Sequence, residues 1–563
     1  MKKLSSIFII FLLISCQVNE EVREQVGAMG DEAMVVSAHP IATKAGLEIL
    51  RKGGNVFDAA VTTHFMLAVV YPRAGNIGGG GFAVIRTNDG ETACLDFREK
   101  APLRASEKMY QDQNGEVIPQ KSQLGHYAVG VPGSVAGIWE LHQKYGTKDW
   151  GLLVQPAIDV AFDGFAITAD EAATLNEKQG DFIAANHYRP WVINDDGWKA
   201  GDLVIQKQLA ATLSFIRDSG KDGFYKGIVA DQIAKEMLRG GGLISEQDLE
   251  SYEAKWRTPV TGSYKGHKVI SMSPPSSGGV ALIQMLQGAE MHSLGDHPHN
   301  SIPAVHLMAE IERLVFADRA RHLGDPDFAD IPVATLISTD YNTIRFSNIN
   351  PSKATASQEV FAGEVELVES METTHYSIVD PFGNAIAITT TLNGNYGSKV
   401  VVEGAGFFLN NEMDDFSSKP GAPDMFGSIT GKNNAIAPQK RMVSSMTPTI
   451  VEKDGALKMV VGTPGGPTII TSVFQTIINV IDHDMSMQDA VTAKKTHHQW
   501  QPDRILVEEG ALTTSQMDEL KDMGHNIEMR DKIGRTDCIL VTNDGRLEGG
   551  ADYTRGDDYA EGF

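Results

Sequence analysis

Three cysteines in 563 residues leave no room for a disulfide framework, and no Cys/His spacing forms a zinc motif. The chain is also short of positive charge. Against 73 aspartates and glutamates stand 49 lysines and arginines, a formal net charge of −24 that no basic cluster interrupts. That balance argues against nucleic acid as a partner, because phosphate backbones attract basic surfaces. No apolar run approaches the ~20 residues needed to cross a bilayer. The glycine-rich stretch GNIGGGGF, Gly75 to Phe82, lacks the Gly-Lys-Ser/Thr ending of a P-loop and the spacing of a Rossmann turn, so close backbone packing is its expected use. What remains is an acidic globular chain, 42% hydrophobic, whose stability must come from its core.

The N-terminus is a separate segment. Lys2 and Lys3 precede the short apolar run Ile7 to Ile14, the pattern of an export signal rather than a membrane span. It ends in LISC, Leu13 to Cys16, which resembles the lipobox of bacterial lipoproteins. Residues 1–15 are therefore read as a signal peptide, Cys16 as a lipidation site and residues 16–30 as a tether. This reading puts the protein outside the cytoplasm of a bacterium, anchored to a membrane on the periplasmic side.

Helix signals follow. His39 to Gly54 has an amphipathic pattern closed by glycines, and Asn55 to Pro72 has Asn55 as N-cap, Pro72 beyond its end and apolar residues nearly all round. Two strand-like runs around an Asn-Asp-Gly turn leave Arg98 at the end of the second. Helical patterns dominate from about Pro132 to Leu323, and Pro351 to Glu372 reads as a polar linker that stops at Thr373. Alternating helices and strands without a repeat predict an α/β layered body.

Directly after that linker lies the densest β signal. HYSIVD and NAIAITTTLN flank Asp380, Pro381 and Gly383, the residues of a tight hairpin with a glycine in the left-handed region. If Asp380 pairs with Asn384, counting back sets Thr373 opposite Thr391, with Asn393 on the same face. A threonine hydroxyl needs a base to become a nucleophile. His375 shares the strand face but lies ~6 to 7 Å along the chain, a weak arrangement. A stronger one arises if Thr373 becomes an N-terminus, since its own amine then titrates near pKa 8. Cleavage between Glu372 and Thr373 would both create the base and open the site.

These motifs resemble, in order, those of the γ-glutamyltranspeptidases of the N-terminal-nucleophile hydrolase superfamily. TTHYSIVD, TTTLN, LNNEMDDFSSKPG, VSSMTPT, GTPGGPTIIT and HHQWQPD match the small subunit, and GGNVFDAAV, AGNIGGGGF, LDFREKAP, GVPGSVAG and PPSSGG match the large one. The resemblance implies a four-layer αββα sandwich shared by a large subunit, 31–372, and a small catalytic subunit, 373–563, cut from one precursor. It makes Thr373 the nucleophile, Thr391 the residue that orients it, and the backbone of Gly465 and Gly466 the oxyanion hole. Arg98, Ser444 and Ser445 would hold the α-carboxylate of the donor, and Asn393, Glu412 and Asp415 its ammonium. Glutathione and other γ-glutamyl compounds are the implied donors, amino acids or peptides the acceptors. No cofactor or metal is implied.

Two positions depart from the pattern. Phe426 stands where tyrosine is common in the loop that covers the site, so a hydrogen bond there is lost or replaced by packing. Pro467 and Thr468 stand where serine and arginine are common, which bears on acceptor choice. An acylase acting on another acyl group, as in cephalosporin or glutaryl acylases, and a lipoprotein that binds γ-glutamyl peptides without turnover are the competing readings.

Overall fold

Period-two alternation of large and small apolar residues along the strands builds two stacked sheets, because each strand must satisfy a different neighbour on each face. The computed structural model describes residues 27–360, 373–419 and 421–563. Cys16, the export signal, most of the tether and Glu372 lie outside the described residues. One sheet runs, edge to edge, through Tyr559–Gly562, Met34–Ser37, Thr374–Val379, Ala385–Thr391, Gly80–Arg86, Thr92–Asp96 and Lys255–Arg257. The other runs through Ala28–Gly30, Leu547–Ala551, Asp537–Val541, Ala456–Val461, Thr449–Lys453, His267–Ser271 and Val260–Tyr264. Every neighbouring pair in both is antiparallel.

The alternation is visible residue by residue. Met34, Val36, Phe82, Val84, Ala385 and Ala387 face Ile270, Ile450, Val460 and Ile539 of the other sheet, forming the layer between them. Val35, Ala83, Ile85, Ile386 and Ile388 point the other way, onto the helices Pro40–Arg51 and Val56–Val70. Beyond the second sheet, Val451, Met459 and Val461 pack on the helices Gly278–Met291, Ile302–His322 and Thr468–Asp482. This is the expected αββα sandwich.

Local signals hold where they are strong. Asn55 caps the helix Val56–Val70 by accepting from the amides of Phe57 and Asp58, and Asp58 returns the contact to the Asn55 amide. All residues of that helix are buried. The glycines 78–81 serve close approach: an added Cβ would fall 2.1 Å from the Phe408 carbonyl oxygen at Gly78 and 2.0 Å from that of Thr391 at Gly79. Three features differ from expectation. The folded body begins inside the supposed tether, with Ala28–Gly30 on a sheet edge. The strands Lys255–Arg257, Val260–Tyr264 and His267–Ser271 interrupt a region whose helical periodicity dominates its sequence. The first half of the polar linker is also tied down, since Thr355 and Ser357 donate backbone N–H to the buried Glu310 and to Asp503.

Candidate active site

A tight hairpin fixes the register at Thr373. The Asp380 amide donates to Asn384 O and the Gly383 amide to Asp380 O, with Gly383 at φ +88. The Asp380 carboxylate accepts from the amides of Phe382 and Asn384, and its other oxygen accepts from the Val56 amide at the start of a helix. Six pairs then follow from Val379 with Ala385 to Thr374 with Thr390. Thr373 and Thr391 are the next opposed residues, and the Thr373 hydroxyl donates to Thr391 Oγ1 at 3.3 Å. The Asn393 amide donates to the same Thr391 oxygen at 2.8 Å, and Asn76 holds the Thr391 carbonyl at 2.9 Å.

Thr373 opens on a narrow cleft. Its lining includes Thr391, Asn393, Arg98, Glu412, Asp415, Ser444, Ser445 and Gly466. Gly465 lies with Thr373 on a second hollow, beside Arg73, Lys532 and Arg535. The structure thus brings together all the site residues expected from sequence that it describes. Gly465 and Gly466 have φ of +136 and +55, a turn that only glycine adopts without strain. Thr468 steadies it by donating its hydroxyl to Gly465 O at 2.7 Å.

His375 is not positioned to serve as base. Its ring lies between the sheets, bonded to Thr389 Oγ1 at 2.8 Å and Ser377 Oγ at 3.0 Å, against Gly462, where an added Cβ would fall 2.1 Å from its Cε1. Burial holds the imidazole neutral, its pKa lowered to about 3.

Charged side chains of both signs line the cleft. Arg98 donates to Glu412 at 2.5 Å, to Asp415, and to Glu99 at 3.4 Å. Burial pushes Glu412 and Asp415 above the ordinary carboxylate range, while the guanidinium pulls them back. Three carboxyl groups around one guanidinium offer more acceptor oxygens than Arg98 can satisfy, a setting that suits an ammonium ligand. Asn410 fixes this turn, accepting from the amides of Glu412 and Gly130 and donating to Gly78 O. The same cleft is lined by Asp424, Ser444, Ser445 and a residue not anticipated from sequence, Arg319. Its signal was there to find: Arg319 sits three and four positions after Phe316 and Val315, on the stripe that buries the helix Ile302–His322.

The covering loop departs as its sequence suggested. Phe426 is buried with its ring over Gly466, whose added Cβ would fall 2.9 Å from Phe426 Cδ1, so packing takes the place of the hydrogen bond, as expected. Met425 N donates to Asp414, and Gln499 to Phe426 O, which pin the loop down. Among the described residues, one group of side chains is spaced to hold a metal, His306, Glu310 and His525. Much of it is already engaged, since His306 bonds His525 Nε2 and Asn350 O, and Glu310 accepts from Thr355 N and Arg313, while His525 Nδ1 is buried without a hydrogen-bond partner among the described residues. None of the three lines the cleft.

A family model described as gamma-glutamyltranspeptidase matches residues 42–562. A glutathione hydrolase proenzyme of Escherichia coli (strain K12) is 42% identical over 553 residues, covering 98% of this chain and 95% of its own. Among solved structures, the Helicobacter pylori gamma-glutamyltranspeptidase is similar at 44% identity and TM-score 0.56, covering 62% of this chain and 98% of that one. A cephalosporin acylase from Bacillus halodurans shares the fold, with TM-score 0.83 at 24% identity over 98% of this chain and 99% of that one.

Proposed function

Given that the chain belongs to the γ-glutamyltranspeptidase family, a self-processing hydrolase and transferase acting on γ-glutamyl amides, we propose that Thr373 is the nucleophile with which it acts. The observation that carries this is the 3.3 Å contact between the Thr373 and Thr391 hydroxyls at the edge of a cleft lined by both carboxyl and guanidinium groups.

The precursor is cut between Glu372 and Thr373. The products are a large subunit, 31–372, still joined to the anchor through residues 16–30, and a small one, 373–563, and the freed Thr373 amine becomes the base. That amine takes the Oγ proton as the oxygen attacks the γ-carbonyl carbon of glutathione or a related amide. The N–H groups of Gly465 and Gly466 receive the negative charge on the carbonyl oxygen, each such donor typically worth ~3 to 4 kcal/mol in the transition state. The C–N bond then breaks, the ammonium returns its proton to the leaving amine, and a γ-glutamyl ester on Thr373 remains. Water, or the amine of an amino acid or peptide, attacks that ester with the Thr373 amine again as base.

The donor's zwitterionic head suits a cleft lined by both carboxyl and guanidinium groups. Asp415, Glu412 and Asn393 hold the ammonium, while Arg98, Ser444 and Ser445 face the carboxylate. A glutaryl group lacks the ammonium, so the carboxyl groups around Arg98 favour an amino-acid head over that of an acylase substrate. Cys16 is proposed to carry lipid that anchors the exported enzyme on the periplasmic side of a membrane. Denaturing electrophoresis with N-terminal sequencing, combined with release of nitroaniline from a γ-glutamyl anilide with and without glycylglycine, tests the scheme. Two pieces, the smaller beginning at Thr373, and amine-stimulated release are expected; active protein running as one full-length band overturns it.

A further inference from the structure

Away from the cleft, three buried groups from distant parts of the chain meet on one side of the helix Ile302–His322. His306 and Glu310 stand four positions apart on that helix and so share a face. His525 reaches them from the turn between the helix Thr514–Asp522 and the strand Ile527–Arg530. The three residues are 0%, 1% and 4% exposed, and one nitrogen or oxygen from each lies within 4.8 Å of the other two. None of them lines the Thr373 cleft, and the acyl-transfer chemistry gives them no task.

Hydrogen bonding fixes where the protons of the two neutral rings lie. A carbonyl oxygen only accepts, so the 2.7 Å contact of His306 Nε2 with Asn350 O puts a proton on Nε2 and leaves Nδ1 bare. The 2.8 Å contact between His306 Nδ1 and His525 Nε2 then takes its proton from His525. His525 Nδ1 is left bare, buried and without a hydrogen-bond partner among the described residues, a costly arrangement for a side chain that only holds the fold. The other contacts have the character of an outer shell. His306 is anchored on a carbonyl through Nε2, and Glu310 is steadied by the Thr355 amide, at 3.1 and 3.2 Å from its two oxygens, and by Arg313 at 3.3 Å. Ligating histidines and carboxylates are oriented in this way at metal centres. The charge of Arg313 opposes a cation, but Asp503 pairs with Arg313 directly and offsets it.

We propose that His306, Glu310 and His525 form a zinc site. Two imidazoles and one carboxylate suit zinc better than magnesium or calcium, which prefer oxygen ligands throughout, and a water completes four-coordination. The ion takes the place of the proton shared between the rings: His306 Nδ1, His525 Nε2 and one Glu310 oxygen become ligands, and the displaced proton moves to His525 Nδ1. A tetrahedral ion with Zn–N bonds of ~2.0 to 2.1 Å holds its nitrogens ~3.3 Å apart, so the rings need to part by about 0.5 Å from their 2.8 Å contact. The site bridges the two products of cleavage. His306 and Glu310 belong to the large subunit and His525 to the small one, while Asn350 and Thr355, which brace the ligands, lie on the segment that leads to the cut. Zinc here staples the end of the large subunit to the small one. Only that stapling role rests on the proposed cut before Thr373; zinc binding does not depend on it.

The test treats the purified protein with a chelator and titrates it with Zn²⁺ in a calorimeter and with Co²⁺, whose visible absorption reports tetrahedral coordination, for wild type, His306→Gln and His525→Gln. Wild type is expected to bind one Zn²⁺ per chain with Kd of about 1 μM or tighter and to show the tetrahedral cobalt band. Each glutamine variant is expected to lose the band and to bind Zn²⁺ roughly hundredfold more weakly or worse, since loss of even an outer partner costs roughly 10- to 100-fold. Zn²⁺ should also raise the unfolding temperature of wild type and leave that of His525→Gln where it is. His525→Gln serves alone if His306→Gln fails to fold. Wild type without saturable Zn²⁺ binding, or His525→Gln that binds as tightly as wild type, overturns the site. Protein that binds Zn²⁺ but is never cut upholds the site and overturns the staple between subunits.

Discussion

Thr373 and Thr391 lie 18 positions apart and meet hydroxyl to hydroxyl at 3.3 Å, because a tight hairpin turn sets a register that leaves no other pairing. Thr391 also accepts from the Asn393 amide, so its oxygen is fixed before Thr373 approaches it. Thr391→Ala should lower kcat roughly ten- to hundredfold on fully cleaved enzyme while KM changes little, and Thr391→Ser should keep most of the rate. Steady-state kinetics on a γ-glutamyl anilide decides this; a fall confined to KM would remove Thr391 from the reacting assembly. Thr373→Ala should leave a single uncut chain.

The acid limb of the rate profile should belong to the Thr373 amine. A protonated amine cannot accept the hydroxyl proton, so kcat/KM should fall as pH drops below the amine's pKa, near 8 in peptides. His375 is neutral throughout that range, its pKa lowered to about 3 by burial, so His375→Gln should leave the acid limb where it is.

The same histidine should show in stability. Its folded pKa lies below the unfolded value of 6.5, so its contribution is fully present above pH 6.5 and is lost as pH falls toward 3. At pH 5 the unfolded imidazole is mostly protonated and the folded one is not, a loss of about 2 kcal/mol relative to pH 8. Denaturant unfolding of Thr373→Ala and Thr373→Ala/His375→Gln at pH 8 and pH 5 isolates the term: the difference between them should move against the histidine form on acidification.

Asp415→Asn should weaken ammonium binding selectively. KM for γ-glutamyl p-nitroanilide should rise about tenfold or more, while any turnover of glutaryl p-nitroanilide, which lacks the ammonium, should not worsen. Parallel loss on both substrates would instead mark Asp415 as a structural partner of Arg98.

Gly466→Ala should cost about a hundredfold in kcat, because the added Cβ meets Phe426 at 2.9 Å and the residue sits at φ +55 next to the proposed oxyanion donors. Adding Phe426→Ala should recover only the steric share. Full recovery in the double variant would show that backbone strain at this turn matters little.

The two subunits should travel together after cleavage. The strands Thr374–Val379 and Ala385–Thr391 lie between Met34–Ser37 and Gly80–Arg86, and His267–Ser271 pairs with Thr449–Lys453. Size-exclusion chromatography of cleaved protein should give one particle of undivided mass, and separation without denaturant would contradict this interleaving.

Much of this was written locally. The Asn55 cap, the Asp380–Gly383 turn and the alternation of Ala385 to Ile388 depend on neighbours a few residues away, so the helix Val56–Val70, the hairpin and the Thr373–Thr391 register are legible in the chain. The family motifs add the membership of the cleft. Other features have no local cause. Lys255 to Ser271 becomes strand because free sheet edges at Thr92–Asp96 and Thr449–Lys453 accept it, and those edges are built from distant segments.

The sequence by itself determined a hairpin that opposes Thr373 to Thr391, an α/β layered body that its family resemblance makes an αββα sandwich, and a set of charged residues proposed to hold an amino-acid head group. Only the tertiary structure decided how those charges are distributed. Arg98 is closed in by Glu412 and Asp415, Arg319 is left facing Ser445, and His375 is turned between the sheets. The reason is electrostatic: a charge acts through its distance and burial relative to every other charge, and chain order records neither.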